Sequence, residues 1–508
     1  MTDPREFGVA SRDALIESLL DPAAYTHWVE EPVELHETHI SWVLLAGKFA
    51  YKIKKPITTE FLDYGSLSKR HHACCEELRL GTRYVHGLYV DVVPITFEDG
   101  HVRMDGDTEP IEFAVRMMRF KDEALLEERL AMGAVTTDQM TQLANTIACF
   151  HDSEAKRSRS SSLGTAKILE YAEQNIDLLL TEPLLRHHPL IHELANWTTN
   201  QFESFHPHFV SRDLGGFIRE CHGDLHCGNI VYWNDRWVPF DGIEFNSEYS
   251  WIDVISDVAF LVMDLEKRGY SELSAAFLNA YLEHTGDYQS LSVLRWYLVY
   301  RALVRAKVSV LRSRQEYQVQ RLSISQMEPA MEYIRLGKRM VTPERRVLWI
   351  THGVSGSGKT TGSQRVVERE GAIRIRSDVE RKRLFKTSKG NGATAAESSG
   401  MYSTTATSAT YQRLYEVARG VLQAGFGVIV DATFLKAEDR LRFRRLAESE
   451  HADFRILDFQ ADKETLERRL THRRLSGEDA SDATLDILES QLQYQEPLTP
   501  EEQAWVIS

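Results

Sequence analysis

The chain has no apolar run near the ~18 residues a membrane-crossing helix needs. Its opening stretch, MTDPREFGVASRDALIESLL, carries acids and lacks the apolar centre of a secretory signal. A cytoplasmic protein with no membrane partner is therefore expected. Cysteine is scarce, with five in 508 residues: Cys74, Cys75, Cys149, Cys221 and Cys227. An odd count without framework spacing excludes a disulfide scaffold. Cys221 and Cys227 flank one motif, but no second tight pair joins them, so they read as buried apolar thiols rather than zinc ligands. There are no internal repeats. One biased segment, residues 386–410, is rich in Ser, Thr, Gly and Ala; its start is expected to be a mobile loop and its end to enter a helix. An aromatic-basic stripe for nucleic acid is also missing.

What is present is the composition of an ordinary soluble protein: 43% hydrophobic and 27% charged residues. The length exceeds one core, so two or three domains are expected. The net charge is -15, and nearly all of the acidic excess lies in residues 1–344. Residues 33–120 read as strands: WVLLAGKFAYKIKK as a hairpin around a glycine turn, VDVVPITFEDGHVRMDG as strand-turn-strand, then IEFAVRMMRF. SKRHHACCEELRLGTRYV between them reads as a helix. From 136 to 330 the period is mainly helical, opening on a capping box of Thr136 and Gln139. Residues 229–245 interrupt it with two short strands around an Asn-Asp turn. From 347, strands VLWITHG, GFGVIVDATF and FRILDFQA alternate with helices, which implies a parallel sheet. The expected division is an N-terminal helical segment (1–32), a first domain (33–334), a linker (335–346) and a second domain (347–508).

In the second domain, Gly353-Val-Ser-Gly356-Ser-Gly358-Lys359-Thr360 satisfies G-x-x-x-x-G-K-[ST] between a buried strand and a helix. The glycines turn backbone N–H groups toward phosphate oxygens. Lys359 adds a charge at the β/γ-phosphates, Thr360 can hold Mg²⁺, and Thr361 completes the nucleotide-binding set. Asp378 and Asp431 each follow or end a strand, where a carboxylate can hold Mg²⁺ or take a proton from an attacking hydroxyl. Helix capping is the competing reading of both. Arg468, Arg469, Arg473 and Arg474 form a basic helical patch that can close over phosphates.

In the first domain, His222-Gly-Asp224-Leu-His-Cys-Gly-Asn229 has the spacing of a kinase catalytic loop. Asp224 can accept or orient a substrate hydroxyl proton, and Asn229 can reach Mg²⁺ on ATP. Asp241, on the next strand pair, supplies the second metal carboxylate. Lys52 is the favoured phosphate lysine, with Lys54 on the same strand face as the alternative. Their carboxylate partner is sought at the adjacent Glu76 and Glu77, with Glu77 favoured. No G-x-G-x-x-G loop precedes Lys52, so backbone groups and Ser41 are expected to cover the phosphates.

Two resemblances follow. The phosphate loop, SDVER, VIVDATF and the arginine-rich helix resemble P-loop kinases related to gluconate kinase and polynucleotide 5'-kinase. That likeness implies Asp378 as base, Arg381 as its substrate- or phosphate-contacting neighbour, and Arg473 in the lid; the order SDVER departs from the S-R-D of polynucleotide kinases and leaves the acceptor open. AYKIKKPI, FLDYGSL, CCEELRLGTRYV, RECHGDLHCGNI, FDGIEFN, WIDVISDVAFLVMDL and YRALVRAKV resemble the aminoglycoside phosphotransferase-like kinases. Here the likeness implies Asp224 as base, Asn229 and Asp241 as metal ligands and Lys52 on the phosphates, with Asp253 and Asp257 bracing the loop. His226 and Glu244 read as structural. The expected fold class is a protein-kinase-like bilobal domain, a small β lobe plus a helical lobe, followed by a P-loop α/β domain. The expected protein is a bifunctional ATP- and Mg²⁺-dependent phosphotransferase acting on hydroxyls of small molecules. The alternatives are a nucleic-acid 5'-hydroxyl kinase and a kinase with one regulatory ATP site.

Overall fold

The computed structural model describes residues 10–30, 32–59, 62–153, 165–316, 323–342, 345–387, 404–476 and 485–507. Contacts group the chain into two units: Met1–Val135 with Cys149–Leu163 and Asp213–Asp257, and Thr136–Ala148 with Gly164–Arg212 and Val258–Ser508.

The first unit is built on a six-stranded antiparallel sheet of β1 (Glu34–Glu37), β2 (Ser41–Ala46), β3 (Phe49–Lys54), β4 (Tyr89–Glu98), β5 (His101–Met104) and β6 (Pro110–Met118), in the order β1-β2-β3-β6-β4-β5. Gly47, at φ +59, opens the two-residue turn between β2 and β3, where a glycine matches the twist of the strands. Strand alternation then decides which side chains face where. Tyr51 and Ile53 join a core with Leu44, Val93 and Ile95. Ala50, Lys52 and Lys54 face the other way, toward the Leu67–Tyr84 helix. That helix begins at Ser66, whose hydroxyl accepts from Lys69 N. It lies close against β4 because Gly81 has no side chain: a Cβ there would come within 2.3 Å of the Tyr89 ring. Two small ladders complete the unit. β7 (Ile218–Glu220) pairs with β10 (Trp251–Asp253), and β8 (Ile230–Trp233) with β9 (Arg236–Pro239). The β8–β9 turn is Asn234-Asp235, both at positive φ, as a type I′ hairpin requires.

The second unit combines long helices with a parallel sheet. Leu179, Ile191, Leu194, Val299, Leu303 and Ile334 form a buried helical core. The Thr136–Gln139 capping box is present, each side chain bonded to the other's backbone N–H. The expected linker at 335–346 is largely helix: Glu328–Val341 is continuous, with Ile334, Leu336 and Gly337 buried. Its apolar positions repeat at helical spacing toward the core, while Arg335 and Lys338 pair with exposed glutamates.

The parallel sheet comprises β11 (Val347–His352), β12 (Ile373–Arg376), β13 (Val428–Asp431), β14 (Asp453–Asp458) and β15 (Val506–Ile507), ordered β12-β13-β11-β14-β15. β11 and β13 are buried along nearly their whole length, as a central parallel strand demands. Of the biased segment, 404–410 lies in the Thr404–Gln423 helix; residues 388–403, within the expected loop, lie outside the described residues. Among the described residues no helix is long and apolar enough to cross a membrane.

Candidate active sites

The first site starts from β3. Lys52 Nζ donates to Glu77 Oε1 (2.9 Å) and pairs with Asp241. Lys54 Nζ takes the other Glu77 oxygen (2.5 Å) and pairs with Glu244, to which Tyr64 also donates (2.6 Å). The two lysines therefore share Glu77, and Glu76 is instead bonded to Arg79. Burial drives both ammonium groups toward neutrality. The facing carboxylates, Asp241 and Glu77 for Lys52, and Glu244 and Glu77 for Lys54, outweigh it and hold both pKa values above the usual lysine range. Exposure separates their roles: Lys54 and Glu77 are sealed, whereas the Asp241 side chain is 40% exposed. Asp241 is held at φ +60, and its N–H donates to the Tyr89 hydroxyl (2.9 Å).

The loop that carries Asp224 is fixed from behind. Asp257 accepts from His222 N (3.0 Å) and Gly223 N (2.9 Å). Gly223 sits at φ +82, and a Cβ would meet Tyr249 O at 2.7 Å. His222 is buried between Asp224 N–H, which its Nδ1 accepts, and Phe240 O, which faces its Nε2 at 2.8 Å. This is the neutral tautomer, and burial lowers its pKa accordingly. Asn229 Nδ2 donates to both the carbonyl (3.0 Å) and Oδ2 (3.1 Å) of Asp224. His226 Nδ1 accepts from Gly228 N, which leaves its Nε2–H for Asp224 Oδ2 at 3.4 Å. Asp224, His226 and Asn229 are thus one polar cluster.

Ser41 is fully buried; its register opposite Lys54 in the β2–β3 ladder puts it on the strand face that also carries Lys52. Asp253 caps the Val254–Lys267 helix through Ile255 N (3.0 Å), and Asp257 supplies both bonds to the His222 and Gly223 N–H groups. Cys221 and Cys227 are buried free thiols. Cys221 lies with His151 and Asp257 within 4.8 Å, but both Asp257 oxygens are engaged by the loop.

The second site is the turn after β11. Gly353, Gly356 and Gly358 take φ of +138, +85 and +99, which side chains oppose. At Gly353 a Cβ would also come within 2.3 Å of Phe459 O. The Lys359–Glu370 helix follows at once. Lys359 Nζ donates to Val354 O (2.8 Å), and Thr360 Oγ1 to Asp431 Oδ2 (2.9 Å). Two oxygen donors this close suit a hard cation such as Mg²⁺. A cleft of about 660 Å³ brings Gly356, Gly358, Lys359, Thr360 and Thr361 together with Asp431, Asp378 and Arg381.

The same cleft contains residues that motif reading passed over. Arg376 precedes Asp378 at the end of β12, and Asp439 joins from the Ala437–Ser449 helix. Burial raises the Asp439 pKa above the usual carboxylate value. Gln491 accepts from Ser355 N in the phosphate loop (2.8 Å). Of the basic patch, Arg469 Nη1 reaches Gly356 O (3.1 Å) and Arg468 turns to Thr465; the side chains of Arg473 and Arg474 lie outside the described residues.

Comparison with known proteins agrees with this layout. Residues 348–498 match the family described as AAA domain. An uncharacterized protein of Mycobacterium tuberculosis (strain ATCC 25618 / H37Rv) is 29% identical over 471 residues, 90% of this chain and 89% of that protein; one of Mycobacterium bovis matches to the same extent. Among solved structures, a choline/ethanolamine kinase family protein from Mesorhizobium loti aligns with 66% of this chain and 95% of its own, at 13% identity and a TM-score of 0.41. A gluconokinase from Sinorhizobium meliloti aligns with 32% of this chain and 82% of its own, at 20% identity and a TM-score of 0.22. The matched stretch 348–498 takes in the phosphate loop, β12, β13 and β14 of the parallel sheet.

Proposed function

We propose that the chain is a bifunctional ATP-dependent phosphotransferase with two separate ATP sites, each passing the γ-phosphoryl group to a hydroxyl of a small molecule. The observation that carries this reading is a duplication of residue types: each fold brings its own lysine, candidate Mg²⁺-binding oxygens and a candidate base carboxylate. In the first site Lys52 would bind the α/β-phosphates, oriented by Glu77. Asn229 and Asp241 would hold Mg²⁺, and Asp224, accepting from His226 and Asn229, would take the acceptor proton. In the second, Lys359 and the loop N–H groups would bind the β/γ-phosphates. Thr360 and Asp431 would hold Mg²⁺, Asp378 would take the acceptor proton, and Arg381 and Arg473 would contact phosphate or acceptor. The bound Mg²⁺ supplies charge neutralisation on the phosphates.

The test is a ³¹P product analysis with ATP and pooled sugars, polyols, aminoglycosides and 5'-hydroxyl oligonucleotides, run on the wild type, Asp224→Ala and Lys359→Ala. Loss of a different product in each variant is expected. A variant that keeps every product marks its site as regulatory or idle and sinks the bifunctional reading. Phosphorylated oligonucleotides as the sole Lys359-dependent product would make the second site a polynucleotide kinase.

A further inference from the structure

β12 is an edge strand of the parallel sheet, yet its outer backbone is paired. Asn279, on the Ser271–Thr285 helix of the same compact unit, donates from Nδ2 to Ala372 O (3.1 Å), and Arg374 N donates to Asn279 Oδ1 (2.7 Å). The carboxamide takes the C=O and N–H that a sixth strand would otherwise use. Alternation along β12 buries Ile373 and Ile375 and turns Arg374 and Arg376 to the opposite face. Glu283, one helical turn after Asn279, meets both arginines: Arg376 Nη1 donates to Oε1 at 3.0 Å, and Arg374 Nη2 lies 3.9 Å from Oε2.

Each arginine leads into the P-loop site. Arg374 Nη1 donates to Thr360 O (3.2 Å), in the first turn after the phosphate loop. Arg376 lines the cleft beside Asp378. A further tie runs from the helix end. Arg383, on the helix that carries Asp378 and Arg381, donates to Glu283 O (2.6 Å), where terminal carbonyls favour a cation. Gly286 caps that end at φ +71, and a Cβ there would lie 2.6 Å from Arg383 Nε. Fully buried Glu380 pairs with Arg383 and with Arg413 (3.0 Å), so the Asp378 helix is gripped on two sides.

We propose that Glu283 is a positioning residue of the P-loop site. It fixes the Arg376 guanidinium in the cleft beside Asp378 and, through Arg374, steadies the turn bearing Lys359 and Thr360. The second site is incomplete without residues 271–285. Removing the Glu283 charge leaves two arginines on one strand face with less to separate them, and Arg376 swings out of the cleft. The proposal rests on the reading of this cleft as a phosphotransferase site.

The test uses the full chain with the same pooled acceptors, and Lys359-dependent ATP turnover is defined as ADP formation lost in Lys359→Ala. Because a displacement of about 1 Å can cost up to ~10²-fold in rate, Glu283→Gln is expected to lower that turnover about tenfold at saturating ATP, with the KM for ATP changed less than about twofold. In an Arg374→Gln/Arg376→Gln background, Glu283→Gln is expected to add nothing, since it acts through these two arginines. Full turnover in Glu283→Gln, or losses that simply add, would overturn the assignment. A second measurement needs no acceptor: hydrogen exchange in the first turns of the Lys359–Glu370 helix, tied to the Glu283 carboxylate through Arg374, is expected to quicken at least about fivefold in Glu283→Gln, and unchanged exchange overturns the proposal. If Lys359→Ala costs the wild type no turnover, the phosphotransferase reading of the cleft fails, and the exchange rates still decide whether Glu283 holds this helix.

Discussion

Glu77 gives one carboxylate oxygen to Lys54 (2.5 Å) and the other to Lys52 (2.9 Å). The first contact is sealed from water and the second opens, through Asp241, toward solvent. One glutamate thereby joins a structural ion pair to a functional one. Lys54→Met would leave Glu244 buried against Tyr64 without its cation, and breaking a buried pair costs about 3–5 kcal/mol. Lys52→Met leaves Glu77 paired with Lys54 and frees Asp241 into solvent, so its stability loss is expected to be about 1–2 kcal/mol. Urea unfolding of the two variants checks the ranking. Asp224-dependent turnover should vanish in Lys52→Met, and equal stability losses would show that the two lysines are not distinguished in this way.

Gly81, Tyr89 and Asp241 form a chain of dependence. The helix can approach β4 because residue 81 has no Cβ, and that approach places the Tyr89 hydroxyl under Asp241 N–H. Gly81→Ala drives a methyl into the Tyr89 ring, an overpacking expected to cost about 1–3 kcal/mol. It should also lower Asp224-dependent turnover by displacing Asp241. Tyr89→Phe keeps the ring and removes only the acceptor. It should reduce turnover with a smaller stability loss, which thermal melts beside rate measurements will separate. Wild-type rates in Tyr89→Phe would mean that Asp241 does not rely on this bond.

These residues also show what the sequence could disclose. Lys52 and Glu77 were readable because alternation on a strand and the helix after it fix their faces locally. The two candidate loops could be picked out because each motif is confined to eight consecutive residues. Lys54 with Glu244 was not, since the pair closes across 190 residues and only the fold brings FDGIEF back to β3. Glu283 carries no motif, and its partner Arg376 lies 93 residues away. Asp439 reaches the cleft only through the packing of its helix.

The buried His222 predicts a pH dependence. Burial lowers its folded pKa below the unfolded value of 6.5, so below that pH the unfolded chain binds the extra proton. Stability is therefore whole above pH 6.5 and falls as pH drops below it, by at most about 1.4 kcal/mol per pH unit for one proton. His222→Asn cannot titrate, so its unfolding free energy should change less between pH 7 and pH 5 than that of the wild type. Parallel curves for the two proteins would rule His222 out as the group responsible.

Asp378 and Asp431, in the P-loop cleft, should fail differently. Asp431 holds the Thr360 hydroxyl at 2.9 Å and is buried, which fits a cation seat. Asp378 lines the cleft from the first turn of its helix, which fits a base. Asp378→Asn is expected to lower Lys359-dependent turnover about 10²–10⁴-fold, the range of a lost general base, while ATP binding stays close to wild type. Asp431→Asn weakens a Mg²⁺ ligand instead, so turnover should recover in part as Mg²⁺ is raised. Rates across a Mg²⁺ titration, with ATP affinity measured by calorimetry, distinguish the two. If added Mg²⁺ rescues Asp378→Asn and not Asp431→Asn, the roles are reversed, and the carboxylate that follows β12 is the metal ligand.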